Sequence, residues 1–205
     1  MNRVLRVAAF AVAALGAAET LAAQGLDWSA AAIVVGVRAQ GDSSRTAGTV
    51  LGGLASARFG RLEVEGRYLQ GALQSQDLVQ GQLAVRYDAT SWLTAQTAAR
   101  ARAYVTPAGT ERWLVWVLGV RVATPLVGTT VRGDIGLWRA LALSANVGST
   151  QGRAGRGGEA GVTLQLVDRP WWFRLAYGID RSTVSGAARH DTVEEFTLTV
   201  GLHRR

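Results

Sequence analysis

The segment Leu62-Glu-Val-Glu-Gly-Arg-Tyr68 alternates apolar or small residues with charged ones at every step. Successive side chains of a β-strand point to opposite sides, so this segment predicts a strand with one apolar and one charged face. The apolar face carries Leu62, Val64, Gly66 and Tyr68, and the charged face carries Glu63, Glu65 and Arg67. A sheet built from such strands has one apolar surface and one charged surface.

The same alternation recurs along most of the chain and predicts an all-β fold. After residue 24 no run of 18 apolar residues occurs, so the sequence predicts no transmembrane helix. We predict about ten strands, with eight to twelve possible, at 28–38, 48–59, 61–71, 78–88, 92–104, 112–123, 129–147, 158–168, 171–181 and 192–203. The seventh is long for a membrane-crossing strand, so we expect it to project from the membrane or to break near Trp138-Arg139.

Short and longer connections alternate between these strands. The short ones are 59–61, 88–91, 124–128 and 168–170, and the longer polar ones are 39–47, 72–77, 105–111, 148–157 and 182–191. Short turns on one side and longer loops on the other are typical of transmembrane barrels. The pattern predicts an antiparallel up-and-down barrel with both termini in the periplasm. Because lipid offers no partner for a free strand edge, the first strand should pair with the last.

The charged face belongs inside such a barrel, where opposite charges can pair. The proposed lumen set contains seven arginines and six acids, close to neutrality: Glu63, Glu65, Arg67, Arg86, Arg100, Arg102, Arg121, Arg132, Asp134, Glu159, Arg174, Asp180 and Glu195.

Aromatic residues cluster near the predicted strand ends, which predicts a girdle at each bilayer interface. One band lies near the short turns and contains Trp28, Phe59, Tyr87, Trp92, Trp171, Trp172 and Phe173. The other lies nearer the longer loops and contains Tyr68, Tyr104, Trp113 and Tyr177.

Residues 1–24 have the layout of a cleaved secretory signal peptide. Arg3 and Arg6 precede an apolar run of 12 residues, Val7 to Ala18, and small residues follow. The run is too short to span a bilayer as a helix. The sequence thus predicts an exported chain whose single barrel domain occupies residues 25–205.

Composition excludes several classes of function. The net charge is +7, and all 22 basic residues are arginines spread singly, so we expect no nucleic-acid partner. Cysteine is absent, which excludes disulfides and thiolate chemistry. The two histidines and scattered acids give no metal-ligand spacing, and we expect neither metal nor cofactor.

Over residues 26–205 the chain resembles the small outer-membrane β-barrel proteins of Gram-negative bacteria, by its leader, strand number, girdles and amphipathic last strand. The resemblance implies a place in the outer membrane, contact with its lipid and lipopolysaccharide, and insertion by the outer-membrane assembly machinery. These proteins often end on an aromatic residue, whereas this chain ends Leu202-His-Arg-Arg205.

Enzymatic activity has little support in the sequence. An omptin-like protease would use His190 and Asp191 with Asp42 and Asp77, and a lipid A-modifying enzyme would need a serine near His203. The glycine-rich segment 152–158 lacks the Lys-Ser/Thr of a phosphate-binding loop, and we expect a flexible outer loop there whose arginines can touch lipopolysaccharide phosphates. Two hypotheses remain: a structural or interaction barrel with a filled, polar lumen, or a narrow porin-like channel for small solutes. A barrel of about ten strands leaves limited room, which favours the first.

Overall fold

Ten antiparallel strands make up the described part of the protein. The computed structural model describes residues 27–41, 45–74, 76–107, 109–145, 152–184 and 189–204. The strands are β1 (Asp27–Gln40), β2 (Arg45–Phe59), β3 (Leu62–Leu73), β4 (Gln76–Asp88), β5 (Leu93–Thr106), β6 (Gly109–Val127), β7 (Val131–Ala145), β8 (Gly152–Gln165), β9 (Trp171–Val184) and β10 (Arg189–Arg204). All ten predicted strands are present. The predicted signal peptide lies outside the described residues.

The sheet closes on itself, because β1 pairs with β10 as well as with β2. Following paired residues once around the barrel leads from Asp27 to Ala39, twelve residues further along β1. This stagger amounts to ~40 Å along the strand direction, and the ten strands together span ~48 Å at right angles to it. The ratio of the two lengths gives a strand tilt of about 40° from the barrel axis. Membrane barrels have tilts in this range.

Large apolar side chains cover the outer wall and remain exposed. Leu83, Ile135, Leu137 and Phe196 each leave 57–60% of their surface uncovered. A water-soluble protein rarely exposes apolar patches as large as a whole barrel wall. The outer wall therefore suits contact with lipid.

The connections at the two ends of the barrel differ less in length than the sequence predicted. We name the end that holds both described termini the turn end and the opposite one the loop end. The strands continue further toward the loop end than expected, so connections there have only two to six residues, against two to five at the turn end. The backbone ladder continues through polar and glycine-rich segments because its hydrogen bonds do not depend on side-chain polarity.

Segment 152–158 belongs to β8 and is not the flexible outer loop that the sequence predicted. Gly157 allows this strand to pass beneath the indole of Trp138, which would collide with a Cβ atom at that position. The expected irregularity in β7 is a register shift opposite Trp116 and Val117, two to three residues beyond the predicted site. Among the described residues no helix is long and apolar enough to cross a membrane.

Candidate functional site: the barrel interior

The register places all thirteen residues of the proposed lumen set on the inner face. Within the described part of the chain, twelve of them take part in ion pairs. The thirteenth, Arg132, instead donates a hydrogen bond to the backbone oxygen of Ser91 at 3.4 Å. The ion pairs form three groups.

The first group lies on the wall formed by β2, β3 and β4. Arg86 holds Glu65 through two parallel hydrogen bonds, Nη1 to Oε2 at 2.7 Å and Nη2 to Oε1 at 2.8 Å. Its Nη1 also contacts Glu63 Oε1 at 3.2 Å. Arg58 extends the group toward the turn end, with 2.7 Å contacts to both Glu63 and Asp88. Two-pronged arginine–carboxylate pairs fix orientation as well as charge. Arg58 and Asp88 belong to this group, although the lumen set predicted from the sequence does not contain them.

The second group lies on the wall formed by β6 to β9 and alternates two arginines with two acids. Arg174 Nη2 contacts Asp134 Oδ1 at 2.6 Å and Glu159 Oε1 at 2.9 Å. Arg121 contacts the same two carboxylates at 3.3 and 3.1 Å. Each charge therefore has two opposite neighbours, which offsets the cost of removing it from water.

The third group crosses the lumen. Asp180 Oδ2 on β9 accepts from Arg100 Nη1 at 2.5 Å and from Arg102 Nη2 at 3.2 Å, both on β5. Glu195 on β10 contacts Arg102 at 3.3 Å and Arg67 of β3 at 3.5 Å. The guanidinium of Arg100 also lies 5.1 Å from the ring centre of Trp138, within the range of a cation–π contact. These side chains connect walls that share no backbone ladder.

Toward the loop end the interior becomes apolar, which the sequence analysis did not predict. We call this cluster the apolar plug; it contains Ile33, Val35, Val37, Val50, Leu69, Leu73, Leu78, Tyr104, Trp113, Leu143 and Val193. Val35, Val50, Leu69 and Leu73 have no exposed surface. The run Ile33-Val-Val-Gly-Val37 carries the signal, because it is apolar on both faces: Ile33, Val35 and Val37 are buried inside, whereas Val34 is exposed on the outer wall. The plug residues come from eight of the ten strands, β1 to β7 and β10, and their buried side chains narrow the lumen at this level.

Below the plug, a polar cavity of about 1030 Å³ opens at the turn end. The members of the three ion-pair groups other than Arg102 line it, and Trp92, Arg132 and His203 are among the residues that extend the lining toward the turn end. The space between the third group and the plug is only about 30 Å³, which is roughly the share of liquid volume of one water molecule. The interior is therefore a pouch that is open at one end.

Three members of the predicted aromatic girdles point into the barrel instead of toward lipid. Tyr104 and Trp113 are 8% and 7% exposed and pack inside the plug, where burial of their rings outweighs a place at the interface. Trp172 faces the lumen above Gly201. The remaining eight, Trp28, Phe59, Tyr68, Tyr87, Trp92, Trp171, Phe173 and Tyr177, are not in the plug, and Phe59, Tyr87, Trp92, Trp171 and Tyr177 are 43–56% exposed.

The residues considered for catalysis do not assemble into a site in the described structure. Asp191 lines the small space beside Tyr104 and Arg102, whereas Asp77 pairs with Val105 on the outer-face register of β4. His203 lies near the turn end, with its Nε2 atom 3.1 Å from Gln165 Nε2. Asp42 and the His190 side chain lie outside the described part of the chain. Among the described residues, no three His, Asp or Glu side chains gather in a way that would hold a metal ion.

Comparison with known proteins supports the fold. No protein-family model matches the sequence, and no curated protein matches it. The crystal structure of Neisserial surface protein A aligns with a TM-score of 0.51 and 10% identity over 85% of this chain and 96% of that chain.

Two further solved structures also align. The translocator domain of the autotransporter NalP from Neisseria meningitidis has a TM-score of 0.36 and 12% identity over 95% and 97% of the two chains. Ail, the attachment invasion locus protein of Yersinia pestis, has a TM-score of 0.31 and 10% identity over 87% and 98%. The likeness to Neisserial surface protein A concerns the fold alone, and by it the chain has the fold of the small transmembrane β-barrel proteins of outer membranes.

Proposed function

We propose that the protein is exported to the outer membrane and acts there as a closed barrel with a structural or interaction role. The exposed apolar wall supports residence in lipid, since such a surface is costly in water. The same proposal makes outer-membrane lipid and lipopolysaccharide its surroundings and the outer-membrane assembly machinery its route of insertion.

The apolar plug is the observation that carries the proposal. An open aqueous pathway needs a polar lining along its whole length, and apolar constrictions exclude water and ions. Here the buried aliphatic side chains of the plug lie across the lumen, and the ion pairs from Arg102 to Asp180 and Glu195 cross it just below. Both layers oppose the passage of solutes.

A narrow channel is the second candidate, and the polar pouch favours it. Guanidinium-bearing side chains line the pouch, among them Arg67, Arg86 and Arg121, and such groups suit a polar or anionic solute. Conduction through this barrel requires the plug to move aside.

Catalysis is not part of the proposal. Three carboxylates that line the pouch, those of Glu65, Asp134 and Asp180, are engaged with arginines. A general base needs a free lone pair within hydrogen-bonding reach of its substrate.

Two measurements test the proposal. Cell fractionation combined with gel migration before and after boiling should recover the protein in the outer membrane, with a boiling-dependent shift. Recovery as a water-soluble monomer would contradict it. After insertion is verified by the same shift, planar-bilayer recordings should show no discrete conductance steps, and reproducible steps would favour the channel.

A further inference from the structure

Three arginines lie side by side on the outer wall near the loop end. In the strand register Arg139 of β7 pairs with Arg156 of β8, and Arg156 pairs with Arg181 of β9. All three side chains are exposed. Directly paired residues on neighbouring strands have Cα atoms ~4.5–5.5 Å apart, so the three side chains start within about 11 Å of one another. We call this set the arginine row.

The arginine row lies near the loop-end border of the apolar wall, with the exposed Leu141 two residues beyond Arg139 on β7. Its members stand eight, nine and ten residues from the turn-end limits of their strands, which are Val131, Gln165 and Trp171. At ~3.3 Å per residue and a ~40° tilt, this distance corresponds to roughly 20–25 Å of height. The apolar band of outer-membrane barrels is ≈25 Å tall. With the exposed aromatics at the turn end marking one interface, the arginine row falls at the other.

No carboxylate neutralises these charges. Among the described residues none of the three guanidinium groups has an ion-pair partner, in contrast to the arginines of the three lumen groups. Glu194, diagonally adjacent to Arg181 on the next strand, is paired with Arg38 at 3.7 Å instead. Like charges placed directly opposite on neighbouring strands repel and destabilise the sheet. An external anion would relieve this repulsion.

We propose that the arginine row binds the phosphate monoesters of a lipid A headgroup. This inference rests on the proposed function and on the predicted periplasmic position of both termini, which together place the loop end at the outer surface. Three arginines carry a charge of +3, and a phosphate monoester carries ≈ −1.5 to −2, so a headgroup with two of them matches the row. A phosphodiester lipid carries a single negative charge and neutralises only a third of it. Guanidinium groups also bind phosphate oxygens in pairs, which suits planar recognition.

The wall beneath the arginine row suits the acyl chains of such a lipid. Ile135, Leu137 and Val162 lie below the row on β7 and β8, and they are 60%, 60% and 45% exposed. Leu175 and Tyr177 continue this surface on β9 with 51% and 48% exposure. The charged headgroup and the apolar acyl chains of one lipid thus meet adjacent surfaces of matching polarity on the same three strands.

Native mass spectrometry of the folded protein in detergent tests the site with three probes: bis-phosphorylated lipid A, the same lipid A without phosphates, and phosphatidylglycerol. The row variant is R139Q/R156Q/R181Q. The matched control R61Q/R169Q/R204Q removes three exposed arginines at the turn end and changes net charge equally. The wild type and the control should bind bis-phosphorylated lipid A at least about tenfold more tightly than either other probe, since the loss of one charge-assisted contact is enough for a change of this size. The row variant should lose that preference.

Equal binding of lipid A with and without phosphates would overturn the proposal, as would equal losses in the row and control variants. Preference for phosphatidylglycerol would assign the row to phospholipid and also overturn it. Boiling-dependent gel migration verifies that each variant is folded. Conductance of the wild type is recorded separately, so a failed lipid site and an open channel are distinguishable results.

Discussion

Arg102 Nη2 of β5 lies 3.2 Å from Asp180 Oδ2 of β9, although three strands separate them around the barrel. The two side chains are 12% and 15% exposed, so the pair lies in the interior and away from bulk water. Arg100 contacts the same carboxylate oxygen, and Asp180 therefore holds two cations at once. Ion pairs thus connect opposite walls of the lumen, while backbone hydrogen bonds connect neighbouring strands around it.

Asp180→Ala should destabilise the barrel by about 3–5 kcal/mol, because it leaves Arg100 and Arg102 with less compensation in a poorly solvated interior. Urea unfolding in lipid vesicles, followed by gel migration, measures the loss. Glu194→Ala is the matched control, since it removes a carboxylate from an ion pair on the outer face. In that pair the side chain of Arg38 is 66% exposed and that of Glu194 is 34% exposed. The control should cost at most about 1 kcal/mol. Equal losses in both variants would show that the crossing ion pairs do not stabilise the barrel.

Single cysteines should separate the pouch from the plug, and the absence of native cysteine makes the labelling specific. Ser56 and Val50 share the inner face of β2, but Ser56 lines the pouch whereas Val50 is fully buried in the plug. With a charged methanethiosulfonate reagent, Ser56→Cys should react at least about tenfold faster than Val50→Cys, because thiol reactivity requires access.

Two controls accompany this labelling. Leu51→Cys, on the outer face, should be protected from the charged reagent in vesicles, and all three variants should react alike after unfolding in urea. Fast labelling of Val50→Cys in the folded protein would mean that water reaches the plug.

Gly201 and Trp172 form a cross-strand pair inside the turn end, and a Cβ atom on Gly201 would lie 2.5–2.7 Å from the indole. Gly201→Ala should therefore destabilise the fold by about 1–3 kcal/mol through overpacking. In the Trp172→Ala background the same change should cost much less, because the obstructing ring is gone. A double-mutant cycle in urea measures this coupling. Additive effects would show that the close packing has no energetic consequence.

The sequence was sufficient to predict the strands and the lumen-facing residues of the polar half of the barrel. The alternation around Glu63, Glu65 and Arg67 specified strands and faces together, because a one-residue shift moves every side chain to the other side. The whole lumen set could therefore be placed by parity. The pairing partners could not, since contacts such as Arg102 with Asp180 depend on the twelve-residue stagger of the closed sheet, which no local pattern encodes.

The apolar half was harder to predict. Tyr104 and Trp113 follow the pattern of interface aromatics near a strand end, yet they point inward because the aliphatic residues around them already form a core. The predicted ends of some strands were wrong for a related reason. The glycine-rich start of β8 has the composition of a loop, but ladder pairing with β9 extends it to Gly152. Tertiary contacts overrode local composition at both places.

Opening the plug tests the central claim most directly. Planar-bilayer recordings compare the wild type with L69A/L73A/L143A in the plug and with L83A/L137A/L175A on the lipid-facing wall, each verified as folded and inserted. We predict that the wild type and the outer-wall control are silent, while the plug variant shows small discrete conductance steps. Steps of equal size in all three proteins would contradict the closed lumen.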